Sequence, residues 1–344
     1  MVGVGVMGAA GYTGLELMRL LAGHPRVRLV AASSRQYQGY KVAEVFPSLR
    51  GWVELSFCSP EELLSTPMEL LFTATPHGVA MDLAPDLLRR GVKLVDLSAD
   101  FRFRSAETYQ AWYKPHCCPQ LLEEAVYGLP EIYREHIRTA RLVANPGCYV
   151  TSVLLALVPL LKQAVVEREM IIVDSASGVS GAGRAAKLGL IHGEVHENFS
   201  AYAVTGHRHT PEMEQELSLA AGTQVRVCFT PHLLPADRGI LSTIYLRPGP
   251  GMGEEDVRAC WTEAYKGEPF VDVLPAGQLP AIKDVRGTNR VALAVATDPR
   301  TGLLKVFSAL DNLTKGASGQ AVQNANLMLG LEETEGLSAP AVVP

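Results

Sequence analysis

The sequence predicts an α/β protein: a doubly wound parallel sheet at the amino end, then an α+β domain with a mixed or antiparallel sheet. Three observations carry this reading. Val2, Val4 and Val6 alternate with glycine, as a buried strand can. Gly8-Ala9-Ala10-Gly11-Tyr12-Thr13-Gly14 follows at once and opens a leucine-rich helical stretch that Gly23 and Pro25 stop. Residues 27–32 then read as a second strand, completing a strand-helix-strand unit.

Strand-like runs at 70–73 and 92–97, with a helical pattern at 79–90, continue the alternation that builds parallel sheets. After about residue 150 the pattern changes. A long apolar helix begins at Cys148, and strand-like runs follow at 170–173, 224–230, 240–246 and 291–296. A helical stretch at 318–329 is expected to return to the first domain, and the tail 332–344 to be loosely held.

A chain of 344 residues has room for about two domains, each with its own core. Its 47% apolar content excludes wholesale disorder and fibrous repeats. A net charge of -5, with no Lys/Arg run, argues against a nucleic-acid partner. The longest apolar stretch, 149–161, is too short to span a bilayer, which needs about 20 residues, so no membrane partner is expected. Six cysteines are too few for a disulfide scaffold, and a strand starting at Val2 leaves no targeting peptide. The expectation is a soluble, cytoplasmic protein with reduced thiols.

Candidate sites follow from residue chemistry. Gly8, Gly11 and Gly14, with Tyr12 and Thr13 between them, would let a pyrophosphate approach the backbone and the helix N–H groups. The alternative is a turn whose glycines serve only helix–strand packing. Ser33-Ser34-Arg35 ends the second strand where an NAD enzyme usually places an acid. Two hydroxyls and a guanidinium suit a 2′-phosphate instead, so NADP(H) is the expected cofactor.

Asn145-Pro146-Gly147-Cys148-Tyr149 puts a cysteine where an extended segment enters the long helix. A helix N-terminus favours the thiolate that attacks an acyl carbon. Cys58, Cys228 and Cys260 lack that setting, and His116-Cys117-Cys118 lacks the spacing of a zinc site. In Gly206-His207-Arg208-His209-Thr210-Pro211-Glu212, Thr210 reads as a helix N-cap with Pro211 at the first helical position. Capping does not account for two histidines around an arginine. An imidazole there can move protons, and Arg208 can hold a carboxylate or phosphate. His192 and His196 lie nearby in sequence, but not in the H-E-x-x-H arrangement, so no metal is expected. The loop from Ser177 through Gly178 and Gly181 to Arg184 could face a nicotinamide or a phosphate. Arg102 ends the 96–102 motif at the carboxyl edge of a strand, where open sheets bind ligands. Glu197, Asn198 and Tyr202 are candidate substrate contacts only by their nearness to His207.

Together these segments resemble the N-acetyl-gamma-glutamyl-phosphate reductase family, a relative of the aspartate-semialdehyde dehydrogenases. The resemblance also includes Pro76-His77-Gly78, Gly128-Leu129-Pro130-Glu131 and Asp311-Asn312-Leu313-Thr314-Lys315-Gly316-Ala317. Ala9-Ala10 and Thr75 depart from the family pattern mildly. The resemblance implies a Rossmann-type NADP-binding domain over 1–147, completed by 313–344, and a catalytic and oligomerisation domain over 148–312. It implies Cys148 as nucleophile and His207 as acid/base, with Arg102, Asn145, Arg208 and His209 holding the substrate. Pro76 and Asn312 join the cofactor residues. The implied reaction is NADPH-dependent reduction of a small-molecule acyl phosphate, releasing inorganic phosphate, by a homodimer or homotetramer. Two alternatives stand beside it: a sibling reductase acting on a carrier-protein-bound aminoadipyl phosphate, and a non-catalytic NADP(H)-sensing protein.

Overall fold

The computed structural model describes residues 1–342. Two compact units emerge: Met1–Pro146 with Ala317–Ala339, and Gly147–Gly316 with residues 340–342. The first unit holds six parallel strands, β1 (Val2–Met7), β2 (Val27–Ser33), β3 (Leu70–Thr73), β4 (Lys93–Asp96), β5 (Val126–Tyr127) and β6 (Leu142–Ala144). Their order, β2-β1-β3-β4-β6-β5, reverses beside β1, as in a doubly wound sheet. Parallel strands buried on both faces need continuous apolar runs, and Leu70, Leu71, Phe72, Leu94 and Val95 have no exposed surface.

The returning segment is narrower than the expected 313–344. Residues 313–316 stay with the second unit because the Leu313 and Thr314 amides donate to Asp311, and Gly316 N–H donates to the Asp311 carbonyl. Val342 likewise donates to the Arg286 carbonyl of the second unit. Val343 and Pro344 lie outside the described residues. Within the first unit, the helix Gly319–Met328 is buried along its whole length. Nor is the tail loose as far as Leu337. Glu333 accepts both arms of the Arg134 guanidinium, Asn326 donates to the Glu333 and Glu335 carbonyls, and Leu337 is buried.

The second unit is a seven-stranded mixed sheet of β7 (Ile171–Gly178), β8 (Ser200–Ala201), β9 (Val227–Leu234), β10 (Ile240–Leu246), β11 (Val271–Val273), β12 (Val291–Thr297) and β13 (Leu304–Leu310). Its order is β11-β12-β13-β10-β7-β9-β8, with β7–β9 and β11–β12 parallel and the other pairs antiparallel. In β7 and β10 buried and half-buried residues alternate, as expected of strands with one face in the core. The helix Cys148–Lys162 is buried from Tyr149 to Leu161.

Both long helices containing an internal proline receive a side-chain substitute for the missing N–H. Pro159 cannot donate to the Leu155 carbonyl four residues back, and the Tyr265 hydroxyl donates to it instead at 2.5 Å. In the helix Val79–Arg89, Pro85 orphans the Met81 carbonyl, and the Cys118 thiol donates to that oxygen at 3.1 Å. Tyr265→Phe should therefore lower the stability of the protein by about 1–3 kcal/mol. Urea denaturation checks this; an unchanged midpoint would mean that the Leu155 carbonyl needs no partner.

Candidate active site

Of the expected cofactor residues, those from Gly8 to Pro76 lie in the first unit, whereas Ser177, Gly178, Gly181 and Asn312 lie in the second. A cavity of about 520 Å³ is lined by Gly8, Gly11, Ser33, Ser34, Arg35 and Pro76, among others. The three glycines have different physical tasks. A Cβ on Gly8, which sits at φ +79°, would lie 2.3 Å from the Ala74 carbonyl oxygen, and one on Gly14 would lie 2.5 Å from the Gly8 carbonyl oxygen. Those two are required for packing. Gly11 faces almost open space, its nearest neighbour being the Gly8 oxygen at 3.8 Å, which is what close approach of a ligand needs. The helix Tyr12–Ala22 starts at Gly11 with no side-chain cap and no acid in its first turn, so its positive end is open to an anion.

Two buried polar side chains of the first unit, Thr75 in the cavity and Gln320 near the glycine turn, also fit a cofactor. The Thr75 hydroxyl, on a residue lining the cavity, has no hydrogen-bond partner among the described residues. Gln320 is fully buried, and neither atom of its carboxamide is partnered among the described residues. It is the second residue of the helix Gly319–Met328, whose N-cap Ser318 donates its hydroxyl to the Thr13 carbonyl of the glycine turn. Sequence reasoning missed Gln320, because its nearness to the turn depends on a contact spanning most of the chain.

The 96–102 motif is tied into the first unit by internal hydrogen bonds. Arg102 is 7% exposed, and its guanidinium donates to the Asn145 and Leu97 carbonyls at 2.7 and 2.9 Å. Asn145 is also buried; its amide nitrogen donates to the Ala317 carbonyl and its oxygen accepts from Asn324. Both residues therefore hold the segment that leads to Gly147 through backbone bonds. Asp96 accepts from Thr73 and Ser98, and burial, then the charge of Asp100, pushes its carboxyl above the usual carboxylate range. Asp100 takes the Gly78 and Met81 amides and the Tyr109 hydroxyl.

In the second unit the structure unites the cysteine and histidine motifs. Cys148 is half-buried at the first position of its 15-residue helix, with Gly147 as N-cap. A Cβ on Gly147 would sit 2.5 Å from Nε2 of His209, so the turn and that ring are in direct contact. Among the other cysteines, burial pushes the thiols of Cys58 and Cys117 up, and those of Cys118 and Cys260 up to about 12 and about 11. The helix Thr210–Ala221 has His209 as its N-cap, with Thr210 and Pro211 inside, one residue earlier than expected. Its Glu212 is buried and accepts the Gly147 N–H at 3.0 Å.

His207 lies among the rings of Tyr149, Tyr202, Phe229 and His209, at centroid distances of 5.6, 5.7, 5.3 and 4.8 Å. Its Nδ1 accepts the His209 backbone N–H at 3.1 Å. Burial, then the charge of the exposed Arg208, lowers its pKa to about 4. Tyr202 bonds the Tyr149 hydroxyl, whereas Asn198 donates to the Glu194 carbonyl and Glu197 is exposed. His192 and His196 stack on each other, and no group of three His, Cys, Asp or Glu among the described residues could hold a metal. The Ser177 loop is pinned by Asn312, whose amide donates to Ser180 and whose oxygen accepts the Gly239 N–H. Gly178 is required there because a Cβ would lie 2.7 Å from the backbone of Asp237 and Arg238. A Cβ on Gly181 would meet the Ser177 hydroxyl at 3.0 Å.

Unfolded, a histidine takes its proton near 6.5, while folded His207 takes one only near 4. Between those values the unfolded chain binds more protons, so this group makes stability fall as pH drops from about 6.5 to 4. That acid limb should be shallower in His207→Asn than in the parent protein; equal slopes in denaturant melts would mean that His207 titrates normally.

Comparison with known proteins agrees with this geometry. Residues 3–140 match the semialdehyde dehydrogenase NAD-binding domain family, and residues 148–312 match the semialdehyde dehydrogenase dimerisation domain family. Proteins called N-acetyl-gamma-glutamyl-phosphate reductase from Pelotomaculum thermopropionicum and Geobacter sulfurreducens are each 53% identical to this chain. The alignments cover all of this chain and 99% and 100% of those proteins. Among solved structures, aspartate semialdehyde dehydrogenase II of Vibrio cholerae, complexed with ASA, superposes with a TM-score of 0.73 at 19% identity, covering 96% of this chain and 98% of its own. The NADP-containing aspartate semialdehyde dehydrogenase of Candida albicans gives 0.71 at 16% identity, covering 96% and 98%. The fold is shared with those enzymes, and by sequence the chain belongs to the N-acetyl-gamma-glutamyl-phosphate reductase family.

Proposed function

We propose that this chain reduces N-acetyl-L-glutamyl 5-phosphate to N-acetyl-L-glutamate 5-semialdehyde and inorganic phosphate, with NADPH as reductant, in arginine biosynthesis. The observation that carries the reading is the direct contact of the Cys148 turn with the His207–His209 motif, made through Gly147. A sensing protein would need the glycine turn but not this pairing. The family of the full-length relatives favours this substrate over a carrier-bound aminoadipyl phosphate.

In this mechanism the Cys148 thiolate, favoured at the positive end of its helix, attacks the acyl carbon and expels phosphate, leaving a thioester. NADPH, when bound, supplies the hydride that reduces that thioester. The resulting tetrahedral oxyanion re-forms its carbonyl, the C–S bond breaks, and the departing Cys148 sulfur takes a proton, giving the aldehyde and the free thiol. His207 is suited to the donor role. It is neutral at pH 7, and with Nδ1 accepting from the His209 amide, its single ring proton lies on Nε2. Arg208 is exposed beside it, and its guanidinium is of the chemistry that holds a carboxylate or the phosphate, with His209 against the cysteine turn. Gly11, Thr75, Gln320 and the open helix end would hold the cofactor, and Ser33, Ser34 and Arg35 would select its 2′-phosphate.

The second unit carries Leu188, Ile191, Phe199 and Val204 as exposed apolar side chains within one segment. Together with the matched dimerisation family, they support a homodimer or homotetramer. No described helix is long and apolar enough to cross a membrane. The cytoplasm is the setting we assign, where six free thiols stay reduced.

The testing assay offers NADP+ and phosphate with N-acetylglutamate semialdehyde, then with aspartate semialdehyde, and follows NADPH formation. Only the first should support turnover. In that assay Cys148→Ser should abolish phosphate-dependent NADP+ reduction while NADPH binding persists; substantial surviving turnover would remove the covalent step. Arg35→Ala should cut the preference for NADP over NAD by about tenfold or more, as loss of a charge-assisted phosphate contact implies. An unchanged ratio of kcat/KM values would show that Arg35 does not read the 2′-phosphate.

A further inference from the structure

Glu212 follows Thr210 and Pro211 in what reads as a capping sequence, and an acid in the first turn of a helix ordinarily needs no other explanation. Its actual bond is elsewhere. Glu212 has no exposed surface, and its Oε1 accepts the backbone N–H of Gly147, distant in sequence and immediately before the nucleophile. That amide is buried, so without Glu212 it would lose its partner in an interior that offers no water. On its other side Gly147 meets the His209 ring so closely that a Cβ would overlap Nε2. Its backbone is extended, at φ -68°, so space rather than conformation requires glycine here. Cys148 in turn touches Gly316, where a Cβ would lie 2.8 Å from the Cys148 Cβ, and Gly316 is tied to the Asp311 carbonyl.

We propose that Glu212 is a positioning residue: by holding the Gly147 amide it fixes the entry of the Cys148 helix against the histidine motif. The inference rests on Cys148 being the nucleophile. It also removes Gly147 N–H from the donors that could stabilise an oxyanion, since that proton is already shared with a carboxylate. With this bond lost, the thiol would shift relative to His207, and displacements of about 1 Å cost chemical steps roughly 100-fold. Substrate and cofactor affinity would change little, because neither contact set includes Glu212.

The test uses the full chain with Glu212→Ala and Glu212→Gln, the latter keeping an oxygen that can accept the same N–H. Steady-state assays with N-acetylglutamate semialdehyde, phosphate and NADP+ give kcat and KM, and fluorescence titration gives NADPH affinity. Glu212→Ala should lose about 100-fold in kcat with KM and NADPH affinity within about twofold, and Glu212→Gln should recover at least about tenfold of that loss. A Glu212→Ala enzyme within about threefold of the parent kcat, or a Glu212→Gln enzyme no faster than Glu212→Ala, would overturn the proposal. Should Glu212→Ala fail to fold, Glu212→Met, which fills similar volume without an acceptor, replaces it in the comparison. Cys148→Ser runs alongside. If that variant is dead while Glu212→Ala is active, only the positioning role fails; if it turns over, the nucleophile assignment fails first.

Discussion

A helix without a solvent face sets the terms for the second unit. From Tyr149 to Leu161 the Cys148 helix is enclosed by protein, so no water is on hand for whatever its own hydrogen bonding leaves over. Protein groups must supply every partner. At the amino end that group is Glu212, acting on Gly147; in the middle it is Tyr265, acting on the carbonyl that Pro159 leaves without a donor. Trp261 donates to the Ala156 carbonyl one residue along. Ser152 shares hydrogen bonds with Ser242, which in turn meets Ser175, so the helix is tied to two strands of the sheet by hydroxyls as well as by apolar packing. Acting as the proposed nucleophile, Cys148 would gain rigid placement and an oriented dipole from the same burial.

The first unit solves a different problem, that of leaving polar groups ready for a guest. Most of the polar side chains around the ends of β3 and β4 are used internally: Asp96, Ser98, Asp100 and Arg102 all bond backbone or one another. Against that background Thr75 and Gln320 stand out, as buried groups that a folded chain would rarely leave bare unless something else satisfied them. The glycine turn shows the same division, with two positions filled by neighbouring backbone and one facing space.

What the sequence revealed was chemistry concentrated in short segments. The glycine turn, the Cys148 helix and the histidine motif each declare themselves within a few residues, because a tight turn, a helix end and a proton carrier all need adjacent residues. The strands β1, β3 and β10 were legible for a similar reason, since their patterning is local. Long-range uses were not. Nothing near Arg102 signals that its guanidinium ends on the Asn145 carbonyl, and nothing near Asp311 signals the bidentate pairing with Arg238. The tail after Met328 lacks periodicity, yet Arg134, Asn326 and His24, against which Gly336 packs, fix it in place. Short strands such as β5 and β11 gain definition only from the neighbours that they pair with.

Cys118 illustrates how such distant dependence would act on a lineage. Its thiol has value because Pro85 cannot donate to the Met81 carbonyl. Were that proline replaced by a residue with an N–H, the carbonyl would find its partner within the helix, and the cysteine could drift to any small apolar side chain. With the proline in place, the same drift would strand a buried oxygen. The order in which the two changes arrive therefore decides whether the path between them is open or closed.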